Sequence, residues 1–361
     1  MTSWDLGRHE RTERPMQIAD RTIGIQNPTF VIAEIGVNHD GSVRRALELI
    51  DLAAAGGADA VKLQLFSADR LMNDAARFAT YQQDRVAAPT PAAMLRQYEL
   101  STADVSAVVN AIRKRGLLPI ATPFSLGDVD AAAALELPAI KIASPDLVNR
   151  PLLARAARTA RPLLVSSGAA TMAEVATAVG WLKELGASFA LLHCVSSYPT
   201  PVVDANLRWI GELARFGVPV GYSDHTTEPL AGALAVAGGA TIVEKHLTYD
   251  RAAAGPDHAA SADPIGFAQY VKAIRLADTL RGSAGKRVLD CERDVRDVSR
   301  QSLVLARPLR AGQRVADADL IVQRPGSGIP AAQWPVAVGR TLRHDVAAGT
   351  MLSWEMLSDA A

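Results

Sequence analysis

Two apolar runs, "VPVGYSDHT" at 218–226 and "TIVEKHLTYD" at 241–250, each give way to an acid and a histidine. Neutral imidazoles at His225 and His246 are good ligands for a divalent metal, and a shared ion keeps positions open for water and a substrate oxygen. Asp224 and Glu244 are read beside them as outer groups that orient the two rings. For one histidine alone a satisfied structural role is the ordinary reading. Two at the ends of neighbouring runs favour a metal. His193, inside "LLHC", is explained equally well as a hydrogen-bonded core residue.

Lys62 and Lys141 interrupt other apolar runs. An ammonium taken out of water without an anion loses its solvation for no return, so an anionic ligand is the economical answer. Hydroxyls at Thr122, Ser144, Ser166 and Ser223 add neutral donors, a mixture suited to phosphate and carboxylate oxygens. Internal pairing of each lysine, with Asp59 or Asp146 for example, is the competing explanation. Glu34, Gln64 and Ser196 also sit where apolar runs close. The turn Gly255-Pro256-Asp257-His258 presents Asp257, and an ionised carboxylate there can accept from two sugar hydroxyls.

Gathering these residues into one site requires a fold whose strands all end on one rim. From Phe30 to about Leu247 short apolar runs alternate with Ala- and Leu-rich segments of helical period. The runs are "FVIAEIG", "DAVKLQLF", "LLPIATPF", "PAIKIAS", "PLLVSSG", "FALLHCVS", "VPVGYSD" and "ATIVEKH". Eight of them argue for a closed (β/α)8 barrel in the α/β class, whose loops after the strands build the active site. A doubly wound sheet usually needs fewer strands and opens on a glycine-rich turn, and no GxGxxG follows Val31 or Ile32. The segment "VRRALELIDLAAAGGA" ends at glycine as a helix should, and "STADVSAVVNAIRKRG" offers Ser101 or Thr102 as its N-cap.

The pattern divides the chain into a polar extension over 1–20, the barrel over 21–282, a linker over 283–298 and a small β-rich module over 299–361. Within that module "LRAGQRVADADL" and "VAAGTMLSWEML" both place an apolar residue three and eight positions after Ala-Gly, a short internal echo. With 361 residues, 49% hydrophobic and no formal net charge, the chain has material for a large core. It has no electrostatic footprint for nucleic acid or an anionic membrane, so a small-molecule partner is expected. The first residues are too polar for a secretory leader, which sets the expectation of a cytoplasmic protein. Cys194 and Cys291 cannot form a disulfide framework. Cys194, following "FALLH", is read as a buried inert thiol, with a nucleophile as the lesser alternative.

"FVIAEIGVNHDGS", "KLQLF", "TPFS", "IKIAS", "SSGAAT", "LLHCVSSYPTP", "GYSDHT", "EKHLT", "GPDH" and "RPGSGIP" stand in the order and spacing of the sialic acid synthases, which the chain resembles from about Ile23 to Leu357. The resemblance implies a (β/α)8 barrel joined to an antifreeze-like domain in a domain-swapped homodimer. It also implies condensation of phosphoenolpyruvate with an N-acylated hexosamine such as N-acetylmannosamine, giving a nonulosonic acid and phosphate. Manganese or magnesium is the implied metal, on His225 and His246. Lys62, Thr122, Lys141, Ser144, Ser166 and Ser223 are then the phosphoenolpyruvate positions. Glu34, Tyr198 and Asp257 are the sugar positions, and Arg324 is the residue that the antifreeze-like domain extends into the partner's site.

Two positions depart from that pattern: Asp146 stands where a longer glutamate is common, and Ser196 where an asparagine is. The "GPDH" turn favours the sialic or legionaminic branch over the pseudaminic one. Sugar selection is assigned to loops such as "AARFATYQQDRVAAPTPAAM". Two other functions fit the same residues: an ulosonic acid synthase using another sugar, free or phosphorylated, and a catalytically silent glycan-binding relative.

Overall fold

The computed structural model describes residues 14–73, 76–78 and 88–358. All eight expected runs are strands of one closed parallel barrel: β3 (Phe30–Gly36), β4 (Ala60–Leu65), β5 (Leu118–Pro123), β6 (Ala139–Ile142), β7 (Leu163–Ser166), β8 (Phe189–Cys194), β9 (Val220–Asp224) and β10 (Ile242–His246), the last pairing with the first. Val43–Ala55 is the first barrel helix, capped by the Ser42 hydroxyl and stopped at Gly56 and Gly57. Ser101, rather than Thr102, caps the helix Thr102–Lys114, its hydroxyl accepting from the Asp104 amide.

The alternation of side chains along a strand decides what the barrel encloses. In one phase Phe30, Ile32, Ala60, Ile120, Ala139, Leu164, Ala190, Leu192 and Ile242 form an apolar cluster, together with Met16, Ile18 and Ile23. In the other phase Val31, Ala33, Val61, Leu63 and Val243 pack with helix residues such as Leu49, Ile50 and Ile112. The three remaining members of the inner cluster belong to an antiparallel hairpin of β1 (Met16–Ile18) and β2 (Arg21–Ile23). The hairpin begins inside the stretch read as a polar extension, because Met16 and Ile18 alternate with Gln17 and have an apolar cluster to join. Residues 1–13 of that extension lie outside the described residues. So does part of the loop 75–94 to which sugar selection was assigned.

The described chain separates into two compact units, one ending at Ser283 and the other beginning at Ala284. The stretch expected as a plain linker carries a short helix, Arg293–Ser299, with valines at 295 and 298 exposed. The second unit pairs β11 (Ser302–Leu305) with β12 (Leu320–Gln323), and β13 (Thr341–Leu342) with β14 (Leu357–Ser358). The sequence echo is a structural repeat. Leu309 and Val346 exchange backbone hydrogen bonds of 3.0 and 2.8 Å, and each copy then runs through a 3-10 turn, Asp317–Asp319 or Trp354–Met356, into β12 or β14. The echoed apolar positions Val315, Leu320, Leu352 and Leu357 are all buried in this unit's own core. Among the described residues no helix is long and apolar enough to cross a membrane.

Candidate active site

One step further along the inward phase, the apolar layer gives way to Glu34, Lys62, Thr122, Lys141, Ser166, Cys194, Ser223 and Glu244. All of them are buried. Parallel pairing sets Glu34 beside Lys62 and beside His246, and Glu244 beside Ser223. Above this layer opens a cavity of about 420 Å³ lined by Lys62, Gln64, Thr122, Lys141, Ser144, Ser166, Ser196, Tyr198, Ser223, His225, Glu244, His246 and Asp257. An apolar wall of Phe66, Leu71, Met72, Met94 and Phe124 faces these polar groups.

The two lysines are not waiting for an anion. Lys62 Nζ lies 2.6 Å from Glu34 Oε2 and 3.1 Å from Glu244 Oε2. Lys141 Nζ donates to Ser166 Oγ at 2.6 Å and to the Ile142 carbonyl at 3.1 Å, with Glu244 Oε1 at 3.8 Å. The internal pairing named as the competing explanation is therefore present, but with Glu34 and Glu244. Asp59 is taken by Arg275 and the Val31 amide, and Asp146 accepts from Asn149. An anion here must bind to a network that is already balanced, two ammonium groups against two carboxylates, and not to bare charges.

Burial pushes the Lys62 ammonium down to about 8, a shift that Glu244 opposes and Lys141 reinforces. Burial acts the other way on Glu244, yet Lys141, Lys62 and the Ser223 hydroxyl outweigh it and hold the carboxyl well below its usual range. Lys62 and Glu244 are therefore both charged at neutral pH. Beside the network the Thr122 hydroxyl is buried, faces the cavity and has no hydrogen-bond partner, an unmet need that a ligand oxygen can fill.

His225 and His246 line the same cavity, ring centroids 5.4 Å apart, with the Tyr198 ring 4.1 Å from His225 and 5.9 Å from His246. His225 Nδ1 donates to the Val195 carbonyl at 2.9 Å; burial opposes its imidazolium, but Cys194, that carbonyl and Glu244 outweigh it and raise the ring above its ordinary value, so a metal ligand at Nε2 takes the place of a proton. His246 Nδ1 is buried without a hydrogen-bond partner, its nearest acid being Asp257 at 3.8 Å. Burial, then His225 and Lys62, drive the His246 ring well below its ordinary value, so it is neutral and able to coordinate. Among the described residues no group of three or more His, Cys, Asp or Glu side chains is arranged to hold a metal ion. A cation here would rest on the histidine pair and take its other ligands from water and substrate.

Asp224 and Glu244 do not orient the imidazoles as expected. Asp224 lies in the outward phase, where it accepts from Lys245 at 2.9 Å, from Tyr270 at 2.7 Å and from the Thr226 amide at 2.8 Å. Glu244 serves the lysines and Ser223. His193 is the core residue that the sequence allowed: it also points outward, bonds the Ala205 carbonyl at 2.7 Å and stacks on Tyr222.

Asp146 sits in the 3-10 turn Ser144–Val148 and does not line the cavity, whereas Ser144 does and accepts from the Gly168 amide at 3.0 Å. Arg324 follows β12 in the second unit. Cys194 is buried, as its apolar context suggested. Its thiol faces the cavity 3.7 Å from His225 Nδ1, and the signal was its phase, shared with Ala190 and Leu192.

Residues 49–286 match the model of the NeuB family, and residues 300–358 match the SAF domain. The N,N'-diacetyllegionaminic acid synthase of Legionella pneumophila is 39% identical over 90% of this chain and 94% of its own length. The human N-acetylneuraminate-9-phosphate synthase is 33% identical, covering 75% of this chain and 76% of its own length. Among solved structures, an N-acetylneuraminic acid synthetase from Leptospira borgpetersenii in complex with citrate superposes with a TM-score of 0.71 at 33% identity, covering 78% of this chain and 95% of that one.

Proposed function

The chain belongs to the NeuB family, with a SAF domain after its barrel, and on that footing we propose that it condenses phosphoenolpyruvate with an N-acylated hexosamine to give a nonulosonic acid and phosphate. One observation carries the reading: a single cavity is lined both by the lysines with their hydroxyls and by the histidine pair with Tyr198 and Asp257. It can therefore bind an anion and a polyol next to each other.

Lys62, Lys141 and the hydroxyls of Thr122, Ser144, Ser166 and Ser223 hold the carboxylate and phosphate oxygens of phosphoenolpyruvate through charge-assisted hydrogen bonds. Glu34 and Glu244 fix the ammonium groups, while the Ser223 hydroxyl turns from Glu244 Oε1, to which it donates at 2.7 Å, to reach a substrate oxygen. Asp257 receives sugar hydroxyls, Glu34, which does not line the cavity, supports the site through Lys62 and Gln64, and the apolar wall of Phe66, Met72 and Phe124 suits an N-acyl methyl group. His225 and His246 would hold a divalent cation, manganese or magnesium, which would supply Lewis-acid polarisation of a carbonyl oxygen. Carbon 3 of the enol forms the new bond to the aldehyde carbon of the open-chain sugar. Water then adds at carbon 2, and phosphate departs by cleavage of its carbon–oxygen bond. Holding both substrates in one cavity replaces a bimolecular encounter with an oriented one.

Phosphate release measured with free and with phosphorylated N-acyl hexosamines tests this reading. Release is expected only when phosphoenolpyruvate, a divalent metal and a free sugar are all present. Turnover confined to phosphorylated sugars would move the assignment to the phosphosugar branch, and binding of sugar without turnover would mark a silent relative.

A further inference from the structure

The loop after β3 and the loop after β10 are neighbours in the barrel and are tied together at two points. Asn38 Nδ2 donates to the Leu247 carbonyl at 2.9 Å and to Ser261 Oγ at 2.8 Å, and Ser261 Oγ donates in turn to the backbone carbonyl of Asp257 at 2.7 Å. The second tie runs through His258, which is fully buried. Its Nε2 lies 3.0 Å from Asp40 Oδ1 and its Nδ1 lies 2.7 Å from Thr248 Oγ1, so both ring nitrogens are engaged. The other oxygen of Asp40 accepts from Tyr249 at 2.8 Å, and the Arg45 guanidinium lies 3.6 Å over the Tyr249 ring. Gly255 has φ +153°, and a Cβ there would meet His258 Cδ2 at 2.7 Å, so the imidazole lies flush against the turn.

We propose that His258 is a positioning residue, which latches the Gly255–His258 turn to Asp40 and so aims the Asp257 carboxylate into the cavity. Asp257 lines the cavity and His258 does not. The imidazole therefore acts through its neighbour and not on a substrate. A carboxylate on an untied turn would spread over many positions, and its hydrogen bonds to a sugar would be formed at the entropic cost of ordering the turn. The proposal rests on the reading that Asp257 binds the sugar.

The test is a double-mutant cycle on the KM for the sugar, joined by amide hydrogen exchange, which needs no turnover. His258→Ala is expected to raise the KM for the sugar by about tenfold, roughly one good hydrogen bond, while the KM for phosphoenolpyruvate stays within about twofold. In an Asp257→Ala background the same change is expected to add nothing, because residues acting through one another are not additive. Additive losses, or equal losses toward both substrates, would overturn the proposal. Asp40→Asn, which retains an acceptor toward the ring, is expected to keep most of the sugar affinity that Asp40→Ala loses. Amide hydrogen exchange over 255–261 is expected to quicken in His258→Ala and in Asp40→Ala, with the barrel strands unchanged. Unaltered exchange there would contradict the latch even if the parent protein turned over none of the sugars, an outcome that by itself would defeat only the functional assignment.

Discussion

At the scale of single residues the site is a balanced network, and its behaviour should show the balance. Lys62, pushed down to about 8 by burial, keeps its ammonium at neutral pH and loses it as the pH rises through that value. The KM for phosphoenolpyruvate should accordingly climb above about pH 8, and should stay level over the same range in Lys62→Arg, whose guanidinium does not deprotonate. A parent profile flat to pH 10 contradicts the role given to Lys62. Removing Glu244 strips both lysines of a partner, so Glu244→Leu should lower unfolding stability by about 3–5 kcal/mol in urea titrations. Most of the chemistry-bearing residues were legible from type and strand position. Their partners were not, because Glu34 meets Lys62 only through the register of two adjacent strands, and a sequence does not display register. Cys194 was judged on its apolar context alone, and only its alternation with Leu192 revealed that it faces the cavity.

At the scale of elements the alternation along each strand does the sorting. Inward residues low in the barrel form the apolar layer with the hairpin, and the same phase one step higher supplies the site. That layer is the platform for the network above it. Leu192→Ala, which opens a void directly beneath, should cost about 2–5 kcal/mol of stability and also weaken phosphoenolpyruvate binding. Leu191→Ala, in the outward phase, should cost stability with little change in binding; calorimetry of unfolding alongside ligand titration separates the two. The eight strands were readable because each is a short apolar run that ends in polar residues. The helix Arg293–Ser299 was not, since a charged seven-residue segment has too little apolar periodicity to stand out from a linker. The Ala-Gly echo was readable and proved structural, because its apolar positions must fill a small core twice over.

At the scale of the whole molecule, the implication of the family resemblance that Arg324 completes the partner's site in a domain-swapped homodimer has a direct consequence. Subunits carrying His225→Ala and subunits carrying Arg324→Ala, each inactive alone, should regain turnover when mixed and allowed to exchange, because one site of the hybrid then holds both native residues. No recovery in demonstrably mixed dimers would remove Arg324 from the mechanism. The central claim, however, is the carbon–carbon bond. Its most direct test is mass spectrometry of the products formed from phosphoenolpyruvate, manganese and a panel of N-acyl hexosamines. The account predicts a product equal in mass to the sugar plus pyruvate, formed in step with one phosphate and absent without the sugar. Phosphate released from phosphoenolpyruvate with no sugar present, or no condensed product from any sugar of the panel, would contradict it.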